Sequence, residues 1–81
     1  MQFTIYSKVG CPYCTKIEKI FSLINADYEV LKLDEDFNRD EFKEKFGNYA
    51  GFPQIVLNEG EKLGGCIDTI KYLRENRLVN Q

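Results

Sequence analysis

Two strand-like stretches flank one helix-like stretch within residues 3–34, and this order constrains the fold more than any other feature. FTIYS and YEVLKLD are short and rich in β-branched and aromatic residues, as strands are. Between them, apolar residues recur at steps of three and four positions, which places them on one helical face. These residues are Cys14, Ile17, Phe21 and Ile24. The pattern predicts two parallel strands joined by a right-handed helical crossover.

A second helix and a hairpin are expected next. Phe42 and Phe46 lie four residues apart, and Gly47 is suited to end a helix. QIVLN and EKLGG are strand-like and are separated by the short segment EG. Because a tight turn joins neighbouring antiparallel strands, these two stretches predict a hairpin.

The last segment, CIDTIKYLRENRLV, is helix-like, and its apolar residues are expected to point inward. They are Ile67, Ile70, Leu73 and Leu78. The full order, βαβ-α-ββ-α, predicts an α/β fold with a four-stranded mixed sheet flanked by three helices. The chain has 81 residues, which is the size of one domain over residues 1–81.

The composition argues against several classes of function. The net charge is −2 and basic residues form no stripe, so we expect no nucleic-acid binding, which needs phosphate-neutralising side chains on one face. No apolar run approaches the roughly 20 residues that span a bilayer, so no membrane association is expected. The first residues lack the pattern of a signal peptide. We therefore expect a cytoplasmic protein in a reducing compartment, where permanent structural disulfides are rare.

Cys11 and Cys14, in KVGCPYCTKI, admit three interpretations: a metal site, a structural disulfide or redox chemistry. Structural zinc takes four nitrogen or sulfur ligands, whereas the chain has three cysteines and no histidine. A reducing compartment argues against the structural disulfide. Because C-x-x-C beside a βαβ pattern is typical of redox proteins, we favour redox chemistry and expect no metal.

Cys11 is predicted to lie at the start of the first helix, where Pro12 suits the first turn. Unpaired N–H groups and the helix dipole favour a thiolate there, and Lys8 adds positive charge. Only a thiolate attacks a disulfide, so Cys11 is the expected nucleophile. Cys14 lies one turn further along the apolar face and is expected to be less exposed. It suits the resolving role, in which it attacks the mixed disulfide formed at Cys11.

Three separated motifs resemble those of dithiol glutaredoxins: CPYC after the first strand, GFPQI before the hairpin and GGCID at the last helix. The resemblance covers essentially the whole chain and implies the thioredoxin fold. It implies a monomer that reduces protein disulfides and glutathione mixed disulfides, with glutathione as reducing co-substrate. Its partners would be disulfide-containing or glutathionylated proteins. Ribonucleotide reductase is an acceptor for many relatives, although no residue here specifies it.

The motif GFPQ implies one wall of a glutathione site. Pro53 matches the family's cis-proline, which faces the active-site cysteines, and the backbone of Phe52 would bind the ligand like an edge strand. The family's usual Thr and Val before this proline are replaced by Gly51 and Phe52. A threonine contact is therefore lost, and the ring of Phe52 either extends the apolar wall or narrows the groove.

The motif GGCID implies the opposite wall, where glycine permits close approach of a ligand. The amides that begin the last helix suit the α-carboxylate at the γ-glutamyl end of glutathione, and Asp68 suits its ammonium group. The implied binding residues are Gly65, Cys66, Ile67 and Asp68. Ile67 stands where many relatives have a polar residue. Cys66 would contribute its backbone, and its sulfur is explained by packing.

The glycine carboxylate at the other end of glutathione implies cationic partners. Lys8 is the first, and Arg39 matches a family position on the second helix. Arg39 has a second interpretation as a solvated helix charge. Tyr13, between the two cysteines, is expected to flank the groove.

Two other functions share part of this pattern. One is a glutathione-ligated iron–sulfur cluster held between two protomers by their Cys11 thiolates. Pro12 argues against it, because cluster-binding relatives usually lack this proline. The other is a thioredoxin-like electron donor reduced by a flavoprotein reductase, and the glycine pair with Asp68 favours glutathione over it.

Overall fold

A computed structural model describes residues 1–58 and 60–76 of the chain. Within these residues, four strands and three helices follow in the predicted order. They are β1 (Gln2–Ser7), α1 (Pro12–Leu23), β2 (Asp27–Lys32), α2 (Arg39–Phe46), β3 (Gln54–Leu57), β4 (Glu61–Gly64) and α3 (Cys66–Glu75). None of the described helices is long and apolar enough to cross a membrane.

The four strands form one mixed sheet in the order β2-β1-β3-β4, which confirms the predicted α/β class. β1 pairs in parallel with β2 and antiparallel with β3, and β3 pairs antiparallel with β4. Tyr6, near the end of β1, lies opposite Gln54 at the start of β3. This register brings the loop after β1, with its two cysteines, beside the loop before β3, with its proline.

The main core lies between the central strands and the helices α1 and α3. Phe3 of β1 stacks on Phe21 of α1 with ring centroids 4.4 Å apart. The buried cluster contains Phe3, Ile5, Ile17, Phe21, Ile55, Leu57, Cys66 and Leu73. Burial of each large apolar side chain stabilises the fold by roughly 1.5–3 kcal/mol. The predicted apolar face of α1 is confirmed, and Ile24 packs against the edge of this cluster.

An aromatic cluster covers the other face of the sheet. Tyr6 follows Ile5 along β1 and therefore points to the opposite face. Its ring contacts Phe37 at a centroid distance of 5.1 Å and Phe46 at 4.9 Å. Phe42 lies 5.0 Å from Phe46, so α2 packs on the sheet through its phenylalanines.

Asn38 and Gly47 set the two ends of α2. Asn38 Oδ1 accepts a hydrogen bond from the Glu41 N–H at 2.9 Å, and Glu41 Oε1 accepts one from the Asn38 N–H at 2.9 Å. This capping box satisfies two free backbone donors, so the helix begins at Arg39. Gly47 ends it with φ at +103°, a conformation that favours glycine, which confirms the predicted end.

The expectation that Ile67 points inward is wrong. Its side chain is 71% exposed, because the inward face of α3 begins one residue earlier. The buried residues of α3 are Cys66, Thr69 and Leu73. Ile70 packs at the edge of the core, as predicted. Leu78 and residue 59 of the EG turn lie outside the described residues.

Candidate active site

Cys11 is the N-cap residue of α1, and Pro12 is the first residue of the helix. The Cys14 N–H donates a hydrogen bond to Cys11 Sγ at 3.2 Å, and the Thr15 N–H donates to the Cys11 carbonyl at 3.2 Å. The Cys11 sulfur therefore lies at the positive end of the helix with an N–H group directed at it. Both features stabilise a negative charge on this sulfur when the pair is reduced.

Cys11 and Cys14 are joined by a disulfide, and their Cα atoms are 5.2 Å apart. Cys11 is 8% exposed and Cys14 is 2% exposed, so the expected difference in exposure is found. A substrate sulfur has better access to Cys11. The geometry therefore suits attack from outside at Cys11 and an internal role for Cys14.

A cavity of about 500 Å³ opens beside this disulfide, and we call it the disulfide cavity. Both cysteines line it, together with three charged residues, Lys8, Glu18 and Lys32. Two of these three charges are positive. The cavity therefore presents a cationic environment to an incoming thiolate or carboxylate.

A second cavity, of about 280 Å³, brings together residues from three distant segments, and we call it the α3 groove. Its lining consists of Tyr13, Phe52, Pro53, Gly65, Cys66, Ile67 and Asp68. All seven are residues that the motifs predict for a binding site. The Phe52–Pro53 peptide bond is cis, as the resemblance implies.

The two cationic candidates differ in position. Lys8 lines the disulfide cavity, next to the cysteines. Arg39 is exposed at the first position of α2 and lines neither the disulfide cavity nor the α3 groove in the described part of the chain. The structure therefore places Lys8 beside the cysteines, and the role of Arg39 stays a prediction.

The glutaredoxin family model matches residues 3–61. The chain belongs to the glutaredoxin family. Glutaredoxin-C6 of Oryza sativa subsp. japonica is 31% identical over 78 residues, which cover 93% of this chain and 69% of that protein. Mitochondrial glutaredoxin-2 of Rattus norvegicus is 35% identical over 78 residues, covering 93% of this chain and 49% of that protein.

Solved glutaredoxin structures share the fold. Reduced Escherichia coli glutaredoxin superposes with a TM-score of 0.80 at 22% identity, covering 98% of this chain and 100% of that one. A buckwheat glutaredoxin–glutathione complex superposes with a TM-score of 0.76 at 25% identity, covering 94% of this chain and 71% of that one. A dithiolic glutaredoxin of Trypanosoma brucei brucei superposes with a TM-score of 0.74 at 29% identity, covering 94% of this chain and 80% of that one. The chain has the thioredoxin fold and is an oxidoreductase that acts on thiols and disulfides with glutathione.

Gly64 is missing from the predicted site, although the wall of the α3 groove depends on its lack of a side chain. Its φ is +101°, and a Cβ built there would lie 2.7 Å from Asp68 Oδ2. A Cβ at Gly65 would lie 3.5 Å from the Pro53 carbonyl oxygen, which is ordinary contact. The double glycine was visible in the sequence. Its first member makes room for the Asp68 carboxylate, and this contact between the end of β4 and the first turn of α3 was not visible.

Cys66 is buried and outside the disulfide. Burial raises the pKa of its thiol, and the charge of Lys16 lowers it to a smaller extent. The Cys66 sulfur therefore stays protonated at neutral pH, as expected of a packing residue. In the described residues, no three side chains of His, Cys, Asp or Glu are grouped in the manner of metal ligands.

Phe52 contacts residues that the sequence does not connect with it. Its ring stacks on Phe42 of α2, with centroids 4.2 Å apart and planes 12° apart. The Lys8 Nζ lies 5.3 Å from the same ring centroid. These contacts join α2 to the active site of this glutaredoxin, although α2 contributes no residue to the α3 groove among the residues described.

Proposed function

We propose that Cys11 is the nucleophile and Cys14 the resolving thiol in the reduction of protein disulfides and glutathione mixed disulfides. The observation that carries this assignment is the hydrogen bond from the Cys14 N–H to Cys11 Sγ at the start of α1. Because the N–H donor and the helix end favour a thiolate, Cys11 is the sulfur prepared for attack. The greater exposure of Cys11 supports the same assignment.

The reaction proceeds by two exchanges of sulfur partners. The Cys11 thiolate attacks one sulfur of a substrate disulfide, a Cys11–substrate disulfide forms, and the other substrate sulfur leaves as a thiolate. With a protein disulfide, the Cys14 thiolate then attacks Cys11 Sγ and releases the second substrate thiol. Two glutathione molecules reduce the Cys11–Cys14 disulfide and become glutathione disulfide. With a glutathionylated substrate, the Cys11 thiolate attacks the glutathione sulfur and the substrate protein leaves as a thiolate. The thiolate of a second glutathione then attacks the Cys11–glutathione disulfide, which yields glutathione disulfide and restores the Cys11 thiolate.

We propose that the α3 groove holds the tripeptide. The buckwheat complex supports this, because that relative binds glutathione with the same fold. The first amides of α3 meet the α-carboxylate, and Asp68 meets the α-ammonium group. Among the described residues no side chain caps this helix, whose N-cap residue is Gly65, so its first amides are available to a ligand. The backbone of Phe52 before Pro53 pairs with the ligand backbone.

Lys8 is assigned to the glycine carboxylate of the ligand. Lys8 lines the disulfide cavity, and its ammonium group lies above the ring of Phe52, which lines the α3 groove. Tyr13, which lies between the two cysteines in the sequence, lines the α3 groove and flanks the ligand. Arg39 remains a prediction for the same carboxylate. A KM for glutathionylated peptide that is unchanged in Arg39→Gln would remove Arg39 from the site.

Two cysteine variants test the division of roles. Cys11→Ser is expected to be inactive on every disulfide substrate. Cys14→Ser is expected to lose activity on a protein disulfide and keep activity on a glutathionylated peptide, since glutathione replaces the resolving thiol. The measurement is the rate of product formation with glutathione and glutathione reductase. Loss of both activities in Cys14→Ser would contradict the assignment.

We propose that the working form is a cytoplasmic monomer that takes electrons from glutathione and delivers them to disulfide-containing or glutathionylated proteins. Gel filtration after anaerobic purification with glutathione is expected to give a colourless monomer. A brown dimer would favour the cluster-binding function, and reduction by a flavoprotein thioredoxin reductase but not by glutathione would favour the thioredoxin-like one.

A further inference from the structure

The ring of Phe52 contacts α2 and Lys8 at the same time. It stacks on Phe42 at 4.2 Å and lies 6.3 Å from the ring of Phe37. The Lys8 ammonium is 5.3 Å from the Phe52 centroid, within the range in which a cation is attracted to an aromatic ring. A continuous row of contacts therefore runs from α2 through Phe52 to Lys8.

The contact with the Phe52 ring restricts where the Lys8 ammonium group lies. Its side chain is exposed and belongs to the loop after β1. Lysine is among the residues that lose most conformational entropy when they are held in one conformation. A ring that holds the ammonium group before the ligand arrives reduces the entropy lost on binding.

The position of the pair connects the two cavities. Lys8 lines the disulfide cavity together with both cysteines, Glu18 and Lys32, and Phe52 lines the α3 groove. The ring of Phe52 offers the Lys8 ammonium a partner on the side of the α3 groove.

We propose that Phe42 and the ring of Phe52 are positioning residues for Lys8. The stack on α2 fixes the ring, and the ring holds the ammonium at the boundary of the two cavities, where it meets a carboxylate of the glutathione moiety. This inference rests on the proposed function, which gives that carboxylate to Lys8. It assigns a role to the Phe52 side chain, which replaces the family's usual valine.

The test is a double-mutant cycle on KM for a glutathionylated peptide, using the wild type, Lys8→Gln, Phe52→Leu and the double variant. Phe52→Leu removes the ring and is expected to raise KM about two- to fivefold, the size of an exposed cation–π contact, with kcat unchanged. Lys8→Gln is expected to raise KM by a similar factor in the wild-type background. In the Phe52→Leu background, Lys8→Gln is expected to change KM by less than about half as much on a logarithmic scale.

Four further measurements separate positioning from a general structural effect. Phe52→Tyr keeps an aromatic ring and is expected to keep the wild-type KM, whereas Phe42→Leu is expected to raise KM as Phe52→Leu does. Phe46→Leu is the matched control, because Phe46 also lies on α2 but contacts Tyr6 and Phe42. It is expected to leave KM unchanged. Salt at about 0.5 M is expected to shrink the effect of Phe52→Leu, since it screens the Lys8 charge.

The outcomes distinguish this inference from the proposed function. A Lys8→Gln effect of equal size with and without the ring would overturn the inference and leave Lys8 in the site. The inference would also fall if Phe52→Tyr behaved like Phe52→Leu. An unchanged KM in Lys8→Gln itself would remove Lys8 from the glutathione site, and the inference would fall with that assignment.

Discussion

Gly64→Ala is a sharp test of how the wall of the α3 groove is built. Gly64 has φ at +101°, where residues with a Cβ are strained, and the new Cβ would lie 2.7 Å from Asp68 Oδ2. The backbone contribution is about 1–2 kcal/mol of destabilisation. The steric contribution adds to this cost. Rotation of the carboxylate relieves the contact with Oδ2, but the new methyl group would also lie 3.1 Å from Asp68 Cβ, which does not move in that rotation. We therefore expect the free energy of unfolding to fall by at least about 1–2 kcal/mol in urea titrations.

The larger consequence of Gly64→Ala is for ligand binding. If Asp68 Oδ2 meets the α-ammonium of glutathione, rotation of this carboxylate removes a charged hydrogen bond, worth about 1.5–3 kcal/mol. We expect KM for a glutathionylated peptide to rise at least about tenfold, which corresponds to the lower of these values. The kcat is expected to stay within about twofold, because neither cysteine moves.

Gly60→Ala is the matched control for Gly64→Ala. Gly60 lies in the same hairpin, and a Cβ there would have no atom within 4 Å in the part of the chain that the structure describes. This variant is expected to keep the wild-type KM. Asp68→Ala should raise KM as Gly64→Ala does, and the double variant should be no worse than the single ones. An unchanged KM in Gly64→Ala, or fully additive effects in the double variant, would refute this account of the wall.

The remaining predictions concern stability and are checked by urea unfolding. Thr69 Oγ1 is buried without a hydrogen-bond partner among the described residues, so Thr69→Val is expected to stabilise the fold by about 1 kcal/mol. Thr15→Val, the control, removes a hydrogen bond to the Cys11 carbonyl and should not stabilise. Asn38→Ala removes the cap of α2 and is expected to destabilise by about 1 kcal/mol; no loss would contradict the capping box. Burial raises the pKa of the Cys66 thiol above its ordinary value, so the folded chain holds this proton more tightly than the unfolded chain. The resulting stability is present below about pH 8.5, the ordinary cysteine pKa, and is lost as the pH rises through the raised pKa. Cys66→Ala in the oxidised protein should flatten that decline, and an unchanged slope would refute it.

The sequence predicted the parts of the fold that depend on local pattern. The apolar spacing of α1 and the Gly47 end of α2 were both predicted correctly, because periodicity and backbone freedom are local properties. Ile67 was misplaced, since a shift of one residue in the inward face of α3 turns a core residue outward. Spacing alone does not fix that rotation.

The predicted site shows the same limit. The seven residues of the α3 groove follow from motifs whose place in the fold the resemblance supplies, and the structure brings them together. The stack of Phe42 on Phe52 and the space that Gly64 makes for Asp68 could not be predicted. Each joins residues from separate elements, and such contacts depend on how side chains pack.

The central claim, that Cys11 is the activated sulfur, is tested most directly by alkylation of the reduced protein with iodoacetamide, followed by mass spectrometry across a pH series. The account predicts that Cys11 is alkylated first, with a pKa well below the ordinary value of about 8.5. Cys14 should react more slowly, and the buried Cys66 should not react in the folded protein. First alkylation at Cys14, or a Cys11 pKa at or above the ordinary value, would contradict it.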